Sequence, residues 1–188
     1  MRAVVSLLAM PAATRVVVLL RGVNVGRAKR IAMSDFAAIL GDLGATDVRT
    51  LLNSGNAVCT TTMAPARLGA SVGEAIGERL GFGCDVVVRT QRQVAAVVAH
   101  DPLAAVATDP SRYLVVFLAA TPQPASVARL RAIDVAPEEW VVQGEELYVW
   151  MPAGVTASVV SQHLASGLLD VTWTGRNLAT VRKILNAM

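Results

Sequence analysis

A chain of 188 residues in which 54% are hydrophobic and only 16% charged has enough apolar side chain for a substantial core, which excludes a disordered tail and implies one compact domain or two small ones. The formal net charge of +3 is too mild to demand nucleic acid or an anionic membrane. It is unevenly spread, however: residues 1–95 hold 11 basic and 6 acidic side chains and residues 96–188 hold 6 and 8, so the positive field belongs to the first half.

The opening MRAVVSLLAMPAA combines one Arg, a short apolar block and small residues, as signal peptides do. Its basic region is minimal and a strand follows at once, so residues 1–13 read as an N-terminal extension or as the lead to a true start at Met10. Arg15 to Arg21 is Val/Leu-rich on both alternating faces, the pattern of a strand covered on two sides. Ser34 is placed to cap a helix bearing Phe36, Ile39, Leu40 and Leu43 on one face, with Gly44 as its stop. Asp47 to Leu52 and Ala57 to Thr60 read as strands around the turn NSGN. Pro65 opens a second helix with Leu68, Val72, Ile76 and Leu80, and Cys84 to Arg89 is a fourth strand. A linking helix over Gln91 to Ala99 and a Pro-interrupted stretch follow.

The same order then returns. Tyr113 to Leu118 is a strand and Ser126 to Ile133 a helix; Trp140 to Gln143 and Leu147 to Trp150 are strands joined at GEE. A helix near Ser158 to Leu164, a short strand Val171 to Trp173 and a last helix with Leu178, Val181, Ile184 and Leu185 complete the chain. Two successive βαββαβ units predict an α+β protein of two tandem ferredoxin-like subdomains, α/β plaits with antiparallel sheets, at residues 14–95 and 96–188. The halves share little sequence, so the duplication is structural.

Three polar stretches stand out: VVVLLRGVNVGRAKRIAMSDF near the start, VRTLLNSGNAV in the first hairpin and TWTGRNLATVRKIL at the end. Together, in order and spacing, they resemble the bacterial family known as domain of unknown function 1697, from about Thr14 to the C-terminus. The resemblance implies paired ferredoxin-like subdomains and brings no established activity or cofactor. The chain has Leu178 and Ala179 where relatives commonly carry Trp and Asn, and Asn53 where Gln is frequent.

Packing alone does not require these stretches to be polar. The first carries Arg21, Arg27, Lys29 and Arg30 with no acid between them, on a loop whose glycines expose backbone N–H groups to phosphate or carboxylate oxygens. GVNVG is neither a Walker nor a dinucleotide fingerprint, and a solvated crossover loop is the plainer alternative. NSGN serves equally as a hairpin turn with Asn and Ser bonding their own backbone. TGRN serves as a helix cap through Thr174 or Asn177, though a helix start beside Arg176 also attracts anions. The expectation is one anion-binding cleft between the subdomains, formed by Arg21, Asn24, Lys29, Arg30, Asn53, Ser54, Asn56, Arg176 and Asn177.

Tyr113 with Phe117, and Tyr148 with Trp150, share faces of two central strands, where such plaits stack RNA bases. The second half is net acidic and its strands are apolar on both faces, which favours core packing. His100 and His163 stand alone, so no metal site or cofactor is expected. His100, in HDPL, is placed to cap the helix before it. Glu138 with Glu139, and Glu145 with Glu146, read as solvated hairpin ends rather than acid/base pairs. Cys59 and Cys84 lack CxxC spacing and read as reduced, buried thiols of a cytoplasmic protein. No apolar run reaches the ~18 residues of a membrane span, so no membrane partner is expected. The functional expectation is a binder of a phosphorylated small molecule or of RNA phosphates. An enzyme using the same cleft, with Arg21 and Arg30 as clamps, and a non-catalytic interaction module are the alternatives.

Overall fold

The computed structural model describes residues 12–26 and 28–188; all but the last two residues of the expected 1–13 extension, and Arg27, lie outside them. β1 (Thr14–Leu20) is buried on both faces from Val16 onward. Alternation sends Val16, Val18 and Leu20 into one apolar cluster and Val17 and Leu19 into another. α1 (Met33–Asp42) and α2 (Pro65–Leu80) cover the first of these faces through Phe36, Ile39, Leu40, Leu68, Val72 and Ile76. With β2 (Thr46–Leu51), β3 (Asn56–Thr61) and β4 (Val86–Thr90), β1 forms an antiparallel sheet of order β2-β3-β1-β4. β4 then runs straight into α3 (Gln91–Ala99), whose start is fixed by a capping box between Thr90 and Gln93.

The second half repeats the order. β5 (Tyr113–Leu118), α4 (Pro124–Arg131), β6 (Glu139–Gln143), β7 (Glu146–Trp150), α5 (Val159–Ala165), β8 (Trp173–Asn177) and α6 (Leu178–Ala187) give a second antiparallel sheet of order β6-β7-β5-β8. α4 and α5 cover its outer face through Leu130, Val160 and Leu164. The inner faces of the two sheets share one cluster with α3 and α6, which pack on each other: Val17, Leu19, Val58 and Val87 from one sheet, Tyr113, Val115, Phe117 and Tyr148 from the other. Burying each of these large side chains contributes about 2 kcal/mol, so the two halves are joined by a core and not merely tethered.

This arrangement settles two expectations. The aromatic residues of β5 and β7 are core: Tyr113, Phe117 and Tyr148 are buried, Trp150 packs against them, and Tyr113 donates from its hydroxyl to Asp101 at 2.7 Å. No stacking platform for bases is exposed there. Three of the four hairpin carboxylates are engaged: Glu138 accepts from Val159 N–H and the Ser158 hydroxyl at the start of α5, and Glu145 and Glu146 hold Arg89, Glu145 staying partly exposed; Glu139 is exposed, as expected.

Element boundaries also differ. The final strand runs over Trp173–Asn177, because Gly175 and Arg176 pair with Val116 and Val115 of β5; they look like a helix approach only when read locally. α1 starts at Met33 with Ala32 at the N-cap and no side-chain cap, so Ser34 sits inside the first turn. The expected 95/96 boundary falls within α3.

Candidate functional site

Each sheet ends in a strand that delivers an arginine across to the other half. Arg89 of β4 and Arg176 of β8 both immediately precede the residue that caps the following helix, Thr90 and Asn177. Arg176 reaches into the first half. Its Nη2 donates to the carbonyls of Leu20 (2.8 Å), Ser54 (3.0 Å) and Gly55 (3.1 Å), its Nε to Asn56 Oδ1, and its Nη1 to the Thr174 hydroxyl and the Gly175 carbonyl. Arg89 does the reciprocal thing in the second half. Its Nη2 donates to the carbonyls of Leu118 and Glu145 and its Nε to Glu146 Oε1 at 3.0 Å, while its guanidinium lies 5.8 Å from the Phe117 ring centre. Leu20 ends β1 as Leu118 ends β5, and each N–H bonds its hairpin, Leu20 to Gly55 and Leu118 to Glu145.

The charge balance of this exchange is unequal. Arg89 meets two carboxylates, whereas every acceptor on Arg176 is neutral, Asn56 standing where Glu146 stands in the other half. Burial, opposed in part by Cys84, pulls the Arg176 pKa down to about 10, which still leaves it a cation at neutral pH. A buried positive charge therefore remains uncompensated by its own contacts.

Around it the basic loop folds back on the first hairpin. Asn24, at φ +57°, organises the loop: its Nδ2 donates to the carbonyls of Ile31 (2.9 Å) and Asn53 (2.7 Å) and its Oδ1 accepts from Ile31 N–H (3.1 Å). Arg21 lies 4.5 Å over the Trp173 ring and pairs with Asp85 at 3.1 Å. Lys29 donates to the Gly83 carbonyl. Gly55 is required by the close approach: at φ +76°, an added Cβ would meet Leu20 Cβ and Val23 Cγ2 at 2.7 Å. Between loop and hairpin lies a hollow of about 390 Å³ lined by Asn24, Arg30, Ile31, Ala32, Met33 and Asn53. α1 begins on its wall, at Ala32 and Met33, with no side-chain N-cap.

The three polar stretches thus meet, but most of the anticipated residues already have internal duties. Arg176, Asn56 and Asn24 hold backbone, the Ser54 hydroxyl accepts from Asn56 Nδ2, Asn177 caps α6 by accepting from Thr180 N–H, and Arg21 is neutralised by Asp85. Among the described residues, the Arg30 and Asn53 side chains make no hydrogen bond or ion pair to protein and line the hollow. Sequence reasoning missed Arg89, Glu145, Glu146 and Trp173. The signal for Arg89 is its place before a capping residue and an apolar helix, which it shares with Arg176.

His100 ends α3 with Nδ1 3.1 Å from the Ala96 carbonyl, as a cap. Neither cysteine is in a disulfide; Cys59 is buried, which raises its thiol to about 11, and Cys84 is half-buried and raised for the same reason. Among the described residues no three His, Cys, Asp or Glu side chains are grouped to hold a metal, and no helix is long and apolar enough to cross a membrane.

A family model described as a protein of unknown function, DUF1697, matches residues 13–148. The chain belongs to this family. The DUF1697 match takes in the basic loop and first hairpin, and the β8 stretch around Arg176 lies beyond it. The solved structure of the conserved bacterial protein SP0830 from Streptococcus pneumoniae is similar at a TM-score of 0.72 and 20% identity, over 94% of this DUF1697 chain and 99% of that one. At that identity the likeness concerns the fold. No curated protein matches.

Proposed function

We propose that this DUF1697 protein binds a phosphate-bearing small molecule in the hollow at the start of α1. The observation that carries the reading is the charge asymmetry. Arg89 is balanced by two carboxylates, Arg176 by none, and the hollow beside the Arg176 hairpin adds Arg30, Asn53 and the start of α1, which has no side-chain N-cap. A dianion there would gain charge-assisted hydrogen bonds from Arg30, with Lys29 nearby on the same loop. The Arg176 cation contributes by its field and not by contact, since its donors are occupied. Small phosphates fit this reading better than RNA, whose bases would find Tyr113, Phe117 and Tyr148 buried. In the same reading the chain is a tandem of ferredoxin-like plaits, supported by the shared strand order and the equivalent arginines. A cytoplasmic setting accords with the thiol enclosed at Cys59.

Calorimetric titration with inorganic phosphate and pyrophosphate tests it. Binding should weaken as salt rises and fall about tenfold or more in Arg30→Ala, the loss of one charged hydrogen bond. Unchanged affinity in that variant, or no heat with either anion at millimolar concentration and low salt, excludes the hollow as a phosphate site.

A further inference from the structure

The outer edges of the two sheets differ in a way that bears on assembly. β2, the edge of the first sheet, is blunted: its pairing with β3 shifts register between Thr46 and Arg49, Asp47 stands at φ +49°, and Arg15 Nη1 bonds the Asp47 carbonyl at 3.0 Å. Such irregularities keep an edge from pairing with another strand. β6 has none of these devices. It pairs with β7 in unbroken register from Glu139–Trp150 to Gln143–Glu146 and closes through the two-residue turn Gly144-Glu145, Gly144 at φ +59°.

That turn fixes which backbone groups face outward. A two-residue hairpin closes on a hydrogen-bonded pair, here Gln143 and Glu146, so Val141 and Glu139 also bond to β7 while the N–H and C=O of Trp140 and Val142 face away from it. Beside this edge runs a groove of about 870 Å³ between Trp140 and Val142 on β6 and Pro124, Val127 and Arg131 at α4.

We infer that β6 is a self-association edge and that its occupant is the β6 strand of a second copy of this chain, paired antiparallel about a twofold axis at Val141. That register matches Trp140 with Val142 twice, so all four outward backbone groups of each strand are bonded and an aromatic side chain faces a β-branched one. It sets Glu139 opposite Gln143, so no like charges meet, and the groove receives the second copy's indole. The symmetry closes on itself, so pairing stops at a dimer with a continuous eight-stranded sheet. The inference is independent of the phosphate reading.

Sedimentation velocity on the full chain from micromolar to millimolar concentration tests it, with circular dichroism as the check of folding. Wild type should show a concentration-dependent dimer. Val142→Pro removes one outward N–H without touching the β7 ladder, a place where an edge strand tolerates Pro, and should be monomeric. Gln143→Lys, exposed and set opposite Glu139, should tighten the dimer by about threefold for each of the two pairs, and Gln143→Glu should loosen it comparably. A monomer over the whole range overturns the inference, even if the edge then proves to accept a foreign strand. So does a dimer indifferent to Val142→Pro, or one that responds alike to both charges at position 143.

Discussion

Replacing Arg176 by Met would keep most of the aliphatic stem and remove the guanidinium. Asn56 Oδ1, on a fully buried residue, would lose its Arg176 donor, as would the carbonyls of Ser54 and Gly175; the Leu20 and Gly55 carbonyls would keep other donors, Thr174 Oγ1 and Leu20 N–H. An orphaned buried acceptor costs about 1–3 kcal/mol. Relief from burying an unbalanced cation offsets part of that, which leaves about 3 kcal/mol, near the low end for breaking a buried charged network. With a urea slope of about 2 kcal/mol/M, the midpoint should fall by about 1.5 M. All three tryptophans, Trp140, Trp150 and Trp173, lie in the second half, so fluorescence reports on that half while far-ultraviolet circular dichroism reports on both. In the wild type the two transitions should coincide. Arg176→Lys, with one charge and fewer donors, should lose about half as much. A stability for Arg176→Met within about 0.5 kcal/mol of wild type, the range of an ordinary surface change, would mean that the freed acceptors reach water and that the guanidinium does not hold the halves together.

Gly55→Ala should destabilise by at least about 2 kcal/mol in the same urea assay, because a methyl at φ +76° would press into the Leu20 and Val23 side chains. Asn24→Ala removes the three side-chain bonds Asn24 makes, so the Ile31 amide should lose most of its hydrogen-exchange protection while amides of β1 keep theirs. Native protein at pH 8 should show one thiol that reacts slowly with an aromatic disulfide reagent, Cys84, and a second, Cys59, that reacts only on unfolding. The Cys59 thiol is raised in the folded state, so its contribution to stability is complete below pH 9 and is lost as pH rises towards 11. At about 1.4 kcal/mol per unit that contribution is about 3 kcal/mol, and Cys59→Ala should flatten this part of the pH–stability curve.

Helices and strands with strong local markers were legible. The linking helix over Gln91–Ala99 and the strand Tyr113–Leu118 agree residue for residue with expectation, because Thr90 and Gln93 form a capping box and YLVVFL has no competing helical period. The burial of Tyr113 and Phe117 was also legible, since strands apolar on both faces require cover from both sides. β8 was harder. Gly175, Arg176 and Asn177 carry no strand propensity of their own, and what places them in a ladder is pairing with β5, some sixty residues away in sequence. The roles of Arg89, Glu145 and Glu146 were hidden for the same reason: each depends on a partner in the opposite half, and composition cannot report which carbonyl lies at the end of a guanidinium. Convergence of the three polar stretches was readable as a pattern, but their internal satisfaction was not. Asn24, Asn56 and Arg176 bond to backbone that the fold brings to them.

The crossed arginines also make the molecule its own proofreader. A gene fragment stopping after α3 would yield a chain whose Arg89 points at acceptors encoded further downstream, and whose apolar inner face has no lid. The complementary fragment would fail in the mirrored way through Arg176. Each piece leaves its inner face and its crossing arginine without partners, so the two halves should fold and unfold together.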